Sequence, residues 1–253
     1  MNNVMNTLPP IEIKLNGTDG WELRQQAYEH LQVHLNRTGA QRGSAAEQGF
    51  GLLAEMTIRR ELGMPILNTD EHPLGFDIQL PSGVTVDVKC RGGERPFQTE
   101  YEGADGLHRE AKHNFFARQV HDSALDTDIY VLTHLRRPKQ RSNDAPLPGT
   151  QRQRNWCLYV CGWVSKDRVL REGVYLPPGA ISERGREWFA YRAHEIEFYN
   201  RNLCGLRDLT QLLAINPEQV AADQVHKSDL NLTRVDAMRI GFDLRGRNLI
   251  SNE

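Results

Sequence analysis

Asp77, Asp87 and Lys89 are residue types that can hold a hard cation and stabilise developing negative charge, and their spacing brings them together. Leu74-Gly-Phe-Asp-Ile-Gln-Leu80 and Val84-Thr-Val-Asp-Val-Lys-Cys90 read as two arms of a hairpin joined by Pro81-Ser82-Gly83. A short loop ending in Gly suits a hairpin whose last loop residue needs positive φ. If Leu80 pairs with Val84, Asp77 falls opposite Asp87. Alternation along the strand then puts Lys89 on the face of Asp87, with Phe76, Ile78, Leu80, Val84, Val86 and Val88 on the other, buried face. Directly opposed side chains stand about 4.5–5.5 Å apart at Cβ, and like charges at that distance repel. Two such carboxylates call for a cation between them or a proton on one of them. Oxygen-only donors suit Mg2+ or Mn2+. The residues alone also allow a plainer reading, a solvated strand face on which two acids and a lysine make surface ion pairs.

The elements that must position these residues are legible around them. A helix is expected from about Ser44 to Leu62, with Ser44 and Glu47 as a capping box, Gly63 as the left-handed terminator, and Phe50, Leu53, Ala54, Ile58 and Leu62 as its apolar stripe. Glu55 lies beside that stripe, near its boundary. Upstream, a strand at Ile11–Leu15 and a helix from Asp19, carrying Ala27, Tyr28, Leu31 and Leu35, precede Gly39. A short strand is expected at Pro65–Asn68, and a polar loop or lid over 97–111. A helix is expected at about Ala111–Ala124, then strands at Asp128–His134 and Trp156–Val164 that pair with each other. The second of these is almost continuously apolar, as a strand buried on both faces would be. Farther on, Val174–Ile181 reads as loop and edge strand, 193–215 as a helix bearing Leu203, Leu206, Leu209, Leu212 and Leu213, and Pro217–Val225 as another. Thr233–Ile240 is weakly helical. His30 and His34 stand one helical turn apart with no third ligand nearby. His113-Asn114 lacks the second histidine that a His-Asn-His site requires.

With 253 residues, 39% hydrophobic and 25% charged, the composition is that of a soluble globular chain. No apolar run approaches membrane-spanning length, and Met1–Pro10 lacks the basic and apolar regions of a secretory signal, so a cytoplasmic protein without membrane contact is expected. A net charge of −2 argues against a bulk nucleic-acid coat protein but leaves room for a local basic surface. Cys90, Cys157, Cys161 and Cys204 fit neither a disulfide framework nor a zinc ribbon. Basic residues gather in the Pro-punctuated stretch 135–155, where Arg136, Arg137, Lys139, Arg141, Arg152 and Arg154 face a single acid, Asp144. That stretch is either a solvated loop or a phosphate-contacting arm. Arg91, Arg95 and Lys112 flank the acidic hairpin and are further candidates for backbone contact.

Asp77, nine intervening residues and then Asp87-Val88-Lys89 resemble the signature of the PD-(D/E)XK nuclease superfamily, the fold of many restriction enzymes and junction resolvases. Gly75-Phe76 stands where the family name has its Pro, a loose position. Gly49–Gly63 resembles the acidic helix that precedes the family's hairpin, with Glu55 at the matching place. The resemblance covers roughly Ser44 to Val164. It implies an α/β (α+β) restriction endonuclease-like core, a central mixed sheet flanked by helices. That core is expected over 44–175, with the basic loop 135–155 inside it, a helical segment over 1–43 before it, and a mainly helical extension over 176–253 packed on it.

The resemblance further implies Mg2+, with Mn2+ as substitute, on Asp77 and Asp87, with the Val88 carbonyl completing the shell and Glu55 acting through water or on a second ion. Lys89 orients the attacking water and stabilises the phosphorane-like charge. An ammonium beside two acids suits electrostatic assistance better than general-base work. The implied reaction is in-line hydrolysis of DNA leaving a 5′-phosphate and a 3′-hydroxyl, by an endonuclease of restriction or phage-related type and in keeping with a homodimer. A junction resolvase, exonuclease or RNase of the same fold, and a catalytically idle nucleic-acid-binding module, are the alternatives. No Gly-x4-Gly-Lys-Ser/Thr motif is present.

Overall fold

The computed structural model describes residues 8–38, 45–66, 76–102, 108–121, 126–138, 155–184 and 187–225. Within them the chain forms a mixed α/β structure whose centre is a five-stranded sheet with helices packed against it. The elements in chain order are β1 (Ile11–Lys14), α1 (Gly17–Thr38), α2 (Ala45–Glu61), β2 (Ile78–Gln79), β3 (Thr85–Gly93), β4 (Glu100–Glu102), β5 (His108–Glu110), β6 (Lys112–Phe116), α3 (Ala117–His121), β7 (Ile129–Arg136), β8 (Cys157–Ser165), α4 (Lys166–Glu172), β9 (Val174–Leu176), β10 (Ile181–Arg184), β11 (Glu187–Ala190), β12 (Glu195–Tyr199) and α5 (Pro217–Val225). Two 3-10 turns, Asn200–Asn202 and Leu209–Ala214, separate β12 from α5.

The central sheet has the order β1-β8-β7-β3-β2, in which β3 and β7 run parallel and the remaining neighbours antiparallel. Alternation along β7 explains why it has two cores. Ile129, Val131 and Leu135 point to one face, where they meet Val86 and Val88 of β3 and the apolar sides of α1 and α2. Tyr130 and Leu132 point to the other, where Phe115, Ile196 and Phe198 of a second sheet, β6-β12-β9, close over them. Every residue of β8 is buried, as its continuous apolar run requires of a central strand. The β7–β8 pairing steps from Leu132↔Gly162 to Thr133↔Val160, a bulge that leaves Cys161 as the extra residue.

At the other end of the chain, α5 is fastened by charge. Arg168 Nη1 lies 2.7 Å from Asp223 Oδ1, with the two side chains only 4% and 3% exposed. Asp223 also accepts the Ser165 amide at 2.7 Å. Burial works against the Asp223 anion, yet the Ser165 N–H and Arg168 hold its carboxyl below the usual range.

Several sequence expectations are corrected here. The helix expected at 111–124 is instead β6 followed by the short α3, because Lys112–Phe116 alternates, with His113 and Phe115 buried, and pairs with β12 some eighty residues on. The helix expected at 193–215 is β12 and two 3-10 turns. The described part of the C-terminal region is therefore rich in strand, with α5 as its one α-helix. The loop expected at 97–111 contains the paired strands β4 and β5. Pro65 and Ile66 form no strand, and Asn68, Ser44, Gly39 and Thr233–Ile240 lie outside the described residues.

Candidate active site

The hairpin folds in the register that its loop implies. Leu80 N–H donates to the Val84 carbonyl at 2.9 Å, Gly83 adopts φ 87°, and the ladder pairs Ile78 with Val86 and Gln79 with Thr85. One face carries Ile78, Leu80, Val84, Val86 and Val88, all 5% exposed or less, into the core. Burying each such side chain contributes about 1.5–3 kcal/mol, enough to fix which face points inward. Phe76, expected among them, is half-buried. Asp87 and Lys89 share the opposite face, and Lys89 Nζ lies 2.7 Å from Asp87 Oδ2.

Asp77 stands where the first arm leaves the ladder. Its amide donates to the Val86 carbonyl at 2.8 Å, and its Oδ2 accepts the Val88 amide hydrogen at 2.7 Å. Burial, then the charges of Asp87 and Glu55, push its carboxyl well above the ordinary value, against the opposing pull of Lys89 and the Val88 N–H.

Glu55 comes to the same place from α2. That helix ends in the left-handed Gly63 (φ 67°), with Met64 N–H returning to the Arg59 carbonyl at 2.8 Å. The sequence places Glu55 at the boundary of the apolar stripe, but it is only 4% exposed, because every residue of α2 from Leu53 to Ile58 is buried. Burial, with the Asp87 charge added, pushes Glu55 up to about 7, although Arg59 opposes this by charge and hydrogen bond. Three carboxylates from three segments thus feel one another's charge in a partly dry corner of the protein, with Lys89 and Arg59 as their nearest cations.

Sequence reasoning missed three neighbours. Arg59 Nε donates to Glu55 Oε1 at 2.9 Å, and its Nη2 donates to the Asp77 carbonyl. Gln119 Oε1 of α3 lies 3.5 Å from Lys89 Nζ, and the Tyr130 ring centroid lies 5.7 Å from the same nitrogen. Arg59 was visible as a Glu-to-Arg pair at i, i+4. Gln119 and Tyr130 carry no local signal, since sheet topology alone brings them there.

The basic candidates divide. Arg91 follows Lys89 on the same face of β3, and the parallel register Arg91↔His134, Gly93↔Arg136 sets it beside the end of β7. Its Nη1 donates to the Lys112 carbonyl at 3.1 Å. Arg136 donates to the Asn155 carbonyl at 3.0 Å, and Arg137 lies 3.7 Å from Glu94 and over the Phe50 ring. Arg95 follows β3, and its carbonyl lies 3.1 Å from His134 Nε2. These four arginines collect at the C-terminal ends of the two parallel strands, about 13 Å or more from Asp87 at roughly 3.3 Å per residue. Lys112 sits on strand β6 rather than on a helix, with Nζ 2.5 Å from the buried Glu197. Arg152 and Arg154 lie outside the described residues. His113 is no substrate-facing group: it is 3% exposed, its ring nitrogens lie 2.7 Å from Asn200 Oδ1 and 2.8 Å from the Thr133 carbonyl, and burial holds it down at about 4.

Among the described residues no three His, Cys, Asp or Glu side chains stand together as a ready-made metal site. The donor chemistry nonetheless fits a hard divalent cation, since it is oxygen-only, and burial, with the neighbouring negative charge added, lifts two of its carboxyls above their ordinary values. Among the described residues, no helix is long and apolar enough to cross a membrane. No family model, no curated protein and no solved structure matches the chain.

Proposed function

We propose that this chain is a metal-dependent deoxyribonuclease built on a restriction endonuclease-like core. The observation that carries the reading is the gathering of Asp77, Asp87 and Glu55 from hairpin and helix into one mutually repelling group, with Lys89 held on Asp87. A fold that merely needed stability gains nothing from such a cluster, and locally costly arrangements of this kind mark functional sites.

Asp77 and Asp87 would hold Mg2+ or Mn2+, with Glu55 and the Val88 carbonyl as further oxygen donors. The bound cation would neutralise the phosphodiester and lower the pKa of a coordinated water. Lys89, fixed by Asp87 and with Gln119 and Tyr130 beside it, places a positive charge where the phosphate gains negative charge in the transition state. Arg91, Arg95, Arg136 and Arg137, farther along the parallel strands, receive flanking phosphates. Cutting both strands of a duplex calls for two such chains.

A second reading is a nucleic-acid-binding module of the same architecture that does not cut. It is favoured by the Asp77 carboxylate being engaged with the Val88 amide and by the absence of a ready-made metal cluster among the described residues. Incubating the protein with supercoiled, linear, branched and single-stranded DNA and with RNA, in Mg2+, Mn2+ or EDTA, decides between them. Divalent-dependent cleavage that Asp87→Ala removes supports the nuclease. Binding without cleavage under every ion supports the module.

A further inference from the structure

Arg59 makes a set of contacts that an ordinary helix ion pair does not explain. An i, i+4 pair with Glu55 would by itself be a common surface feature. Here both side chains are nearly dry, 11% and 5% exposed, and the guanidinium reaches beyond its own helix. Nε donates to Glu55 Oε1 at 2.9 Å, Nη2 to the Asp77 backbone carbonyl, and Nη1 to the Pro65 carbonyl at 3.4 Å. One planar fork therefore joins the α2 carboxylate, the residue from which the Asp77 carboxylate hangs, and the segment that follows the helix.

Asp77 needs such a tie. The first arm is regular strand only over Ile78–Gln79, so Asp77 lies at the frayed end of the ladder with one backbone bond across it. What fixes it is its amide on Val86, its Oδ2 on the Val88 amide, and its carbonyl on Arg59. Of these, Arg59 alone refers Asp77 to Glu55. Among the described residues, Arg60, its neighbour, pairs with the exposed Glu61 at 2.7 Å and with neither Glu55 nor Asp77.

We infer that Arg59 is the positioning residue that sets the separation between Glu55 and Asp77, and through it the affinity and ion preference of the divalent-cation centre. The inference rests on the metal-dependent reading above. A lysine cannot replace the fork, since a single ammonium on a flexible stem does not present fixed donors in three directions. Residues that orient metal ligands typically change metal affinity about 10–100-fold when replaced.

The test is Mn2+ binding to the full chain without nucleic acid, read by electron paramagnetic resonance of free Mn2+ and by calorimetry, with Ca2+ as competitor. Wild type, Arg59→Lys, Arg59→Met and the neighbouring control Arg60→Lys are compared, and thermal unfolding monitors the fold. The expected result is that Arg59→Lys keeps the fold, weakens Mn2+ by about tenfold or more and shrinks the preference for Mn2+ over Ca2+, while Arg60→Lys matches wild type. Should Arg59→Met unfold, Arg59→Lys, which retains charge and stem, still gives the reading. Unchanged Mn2+ affinity and ion preference in Arg59→Lys overturns the inference, even with a lowered melting temperature, because Arg59 is then only a structural tie. Wild-type protein that binds no Mn2+ overturns the metal centre itself and this inference with it, an outcome distinct from the first.

Discussion

The Asp77 carboxylate accepts the Val88 amide hydrogen at 2.7 Å, across the hairpin from its own arm. This bond gives a half-buried carboxylate one donor where Asp87 and Glu55 add repulsion. Replacing Asp77 with Asn keeps an oxygen for the Val88 N–H and removes the charge. On the proposed reading, divalent-dependent DNA cleavage falls by at least ~10²-fold while the melting temperature at pH 8 rises. Plasmid-relaxation kinetics and calorimetry check the two halves, and cleavage at the wild-type rate takes the hairpin out of the chemistry.

On the proposed reading, Lys89 belongs to turnover rather than to ion capture. Lys89→Ala should lower single-turnover cleavage by about 10²–10³-fold, the size of an oxyanion-type contribution, and leave Mn2+ affinity within a few-fold of wild type. A variant that loses Mn2+ but cleaves normally at saturating ion reverses the assignment.

The protein free of divalent ions should lose stability as pH rises through neutrality, in the part that Glu55 controls. Its folded value of about 7 lies above the ordinary 4.5, so folding takes up a proton between those limits. The stabilisation from that proton is complete below about 4.5 and is lost as pH climbs through 7. Glu55→Gln should therefore raise the melting temperature more at pH 8 than at pH 5, measured in EDTA. Equal shifts at both pH values mean the carboxyl is not buried as charge.

Arg152 and Arg154 test the basic arm. If they meet phosphate, replacing both with Ala reduces the slope of log affinity against log salt by roughly two, at about 0.9 per phosphate contact. Lys112→Ala should behave differently, since Lys112 is paired with the buried Glu197, and should lower stability with little change in that slope. Fluorescence anisotropy across a salt series separates the two, and a slope unchanged in the double variant returns 135–155 to an ordinary solvated loop.

The Arg168–Asp223 pair is a stability element. Arg168→Met leaves a buried carboxylate without its cation and should cost about 3–5 kcal/mol in chemical denaturation. The double variant Arg168→Met, Asp223→Leu should recover most of that. A single variant as stable as wild type would show that α5 is held by its apolar contacts alone.

What was legible in the sequence was local. The hairpin could be read because Gly83 and the strict alternation of Ile78, Leu80, Val84, Val86 and Val88 each specify the same register. The α2 terminator and the start of α5 at Pro217 are short-range signals of the same kind. What failed depended on distant partners or on a misread period. Lys112–Phe116 is a strand because β12 supplies its ladder. Leu203, Leu206, Leu209 and Leu212 are all buried, but Leu209 and Leu212 lie in a 3-10 turn, where a three-residue repeat shares one face, and Leu203 and Leu206 lie in the irregular stretch before it. In the candidate site, Asp77, Asp87 and Lys89 were readable from spacing, and Glu55 from the family resemblance. Gln119 and Tyr130 were not, and Arg59 revealed its partner on its own helix but not the carbonyl it reaches across the chain.

β1 is an edge strand of the sheet, made well before the strand it must pair with. Ile11 waits for Val160, and Val86 for Ile129, so the scaffold beneath the acidic hairpin is absent from a nascent chain until its distant complements leave the ribosome. Fragments ending before β8 would carry every acidic side chain of the candidate centre and no platform to hold them. On the proposed reading, the centre would stay inert until β8 has been made.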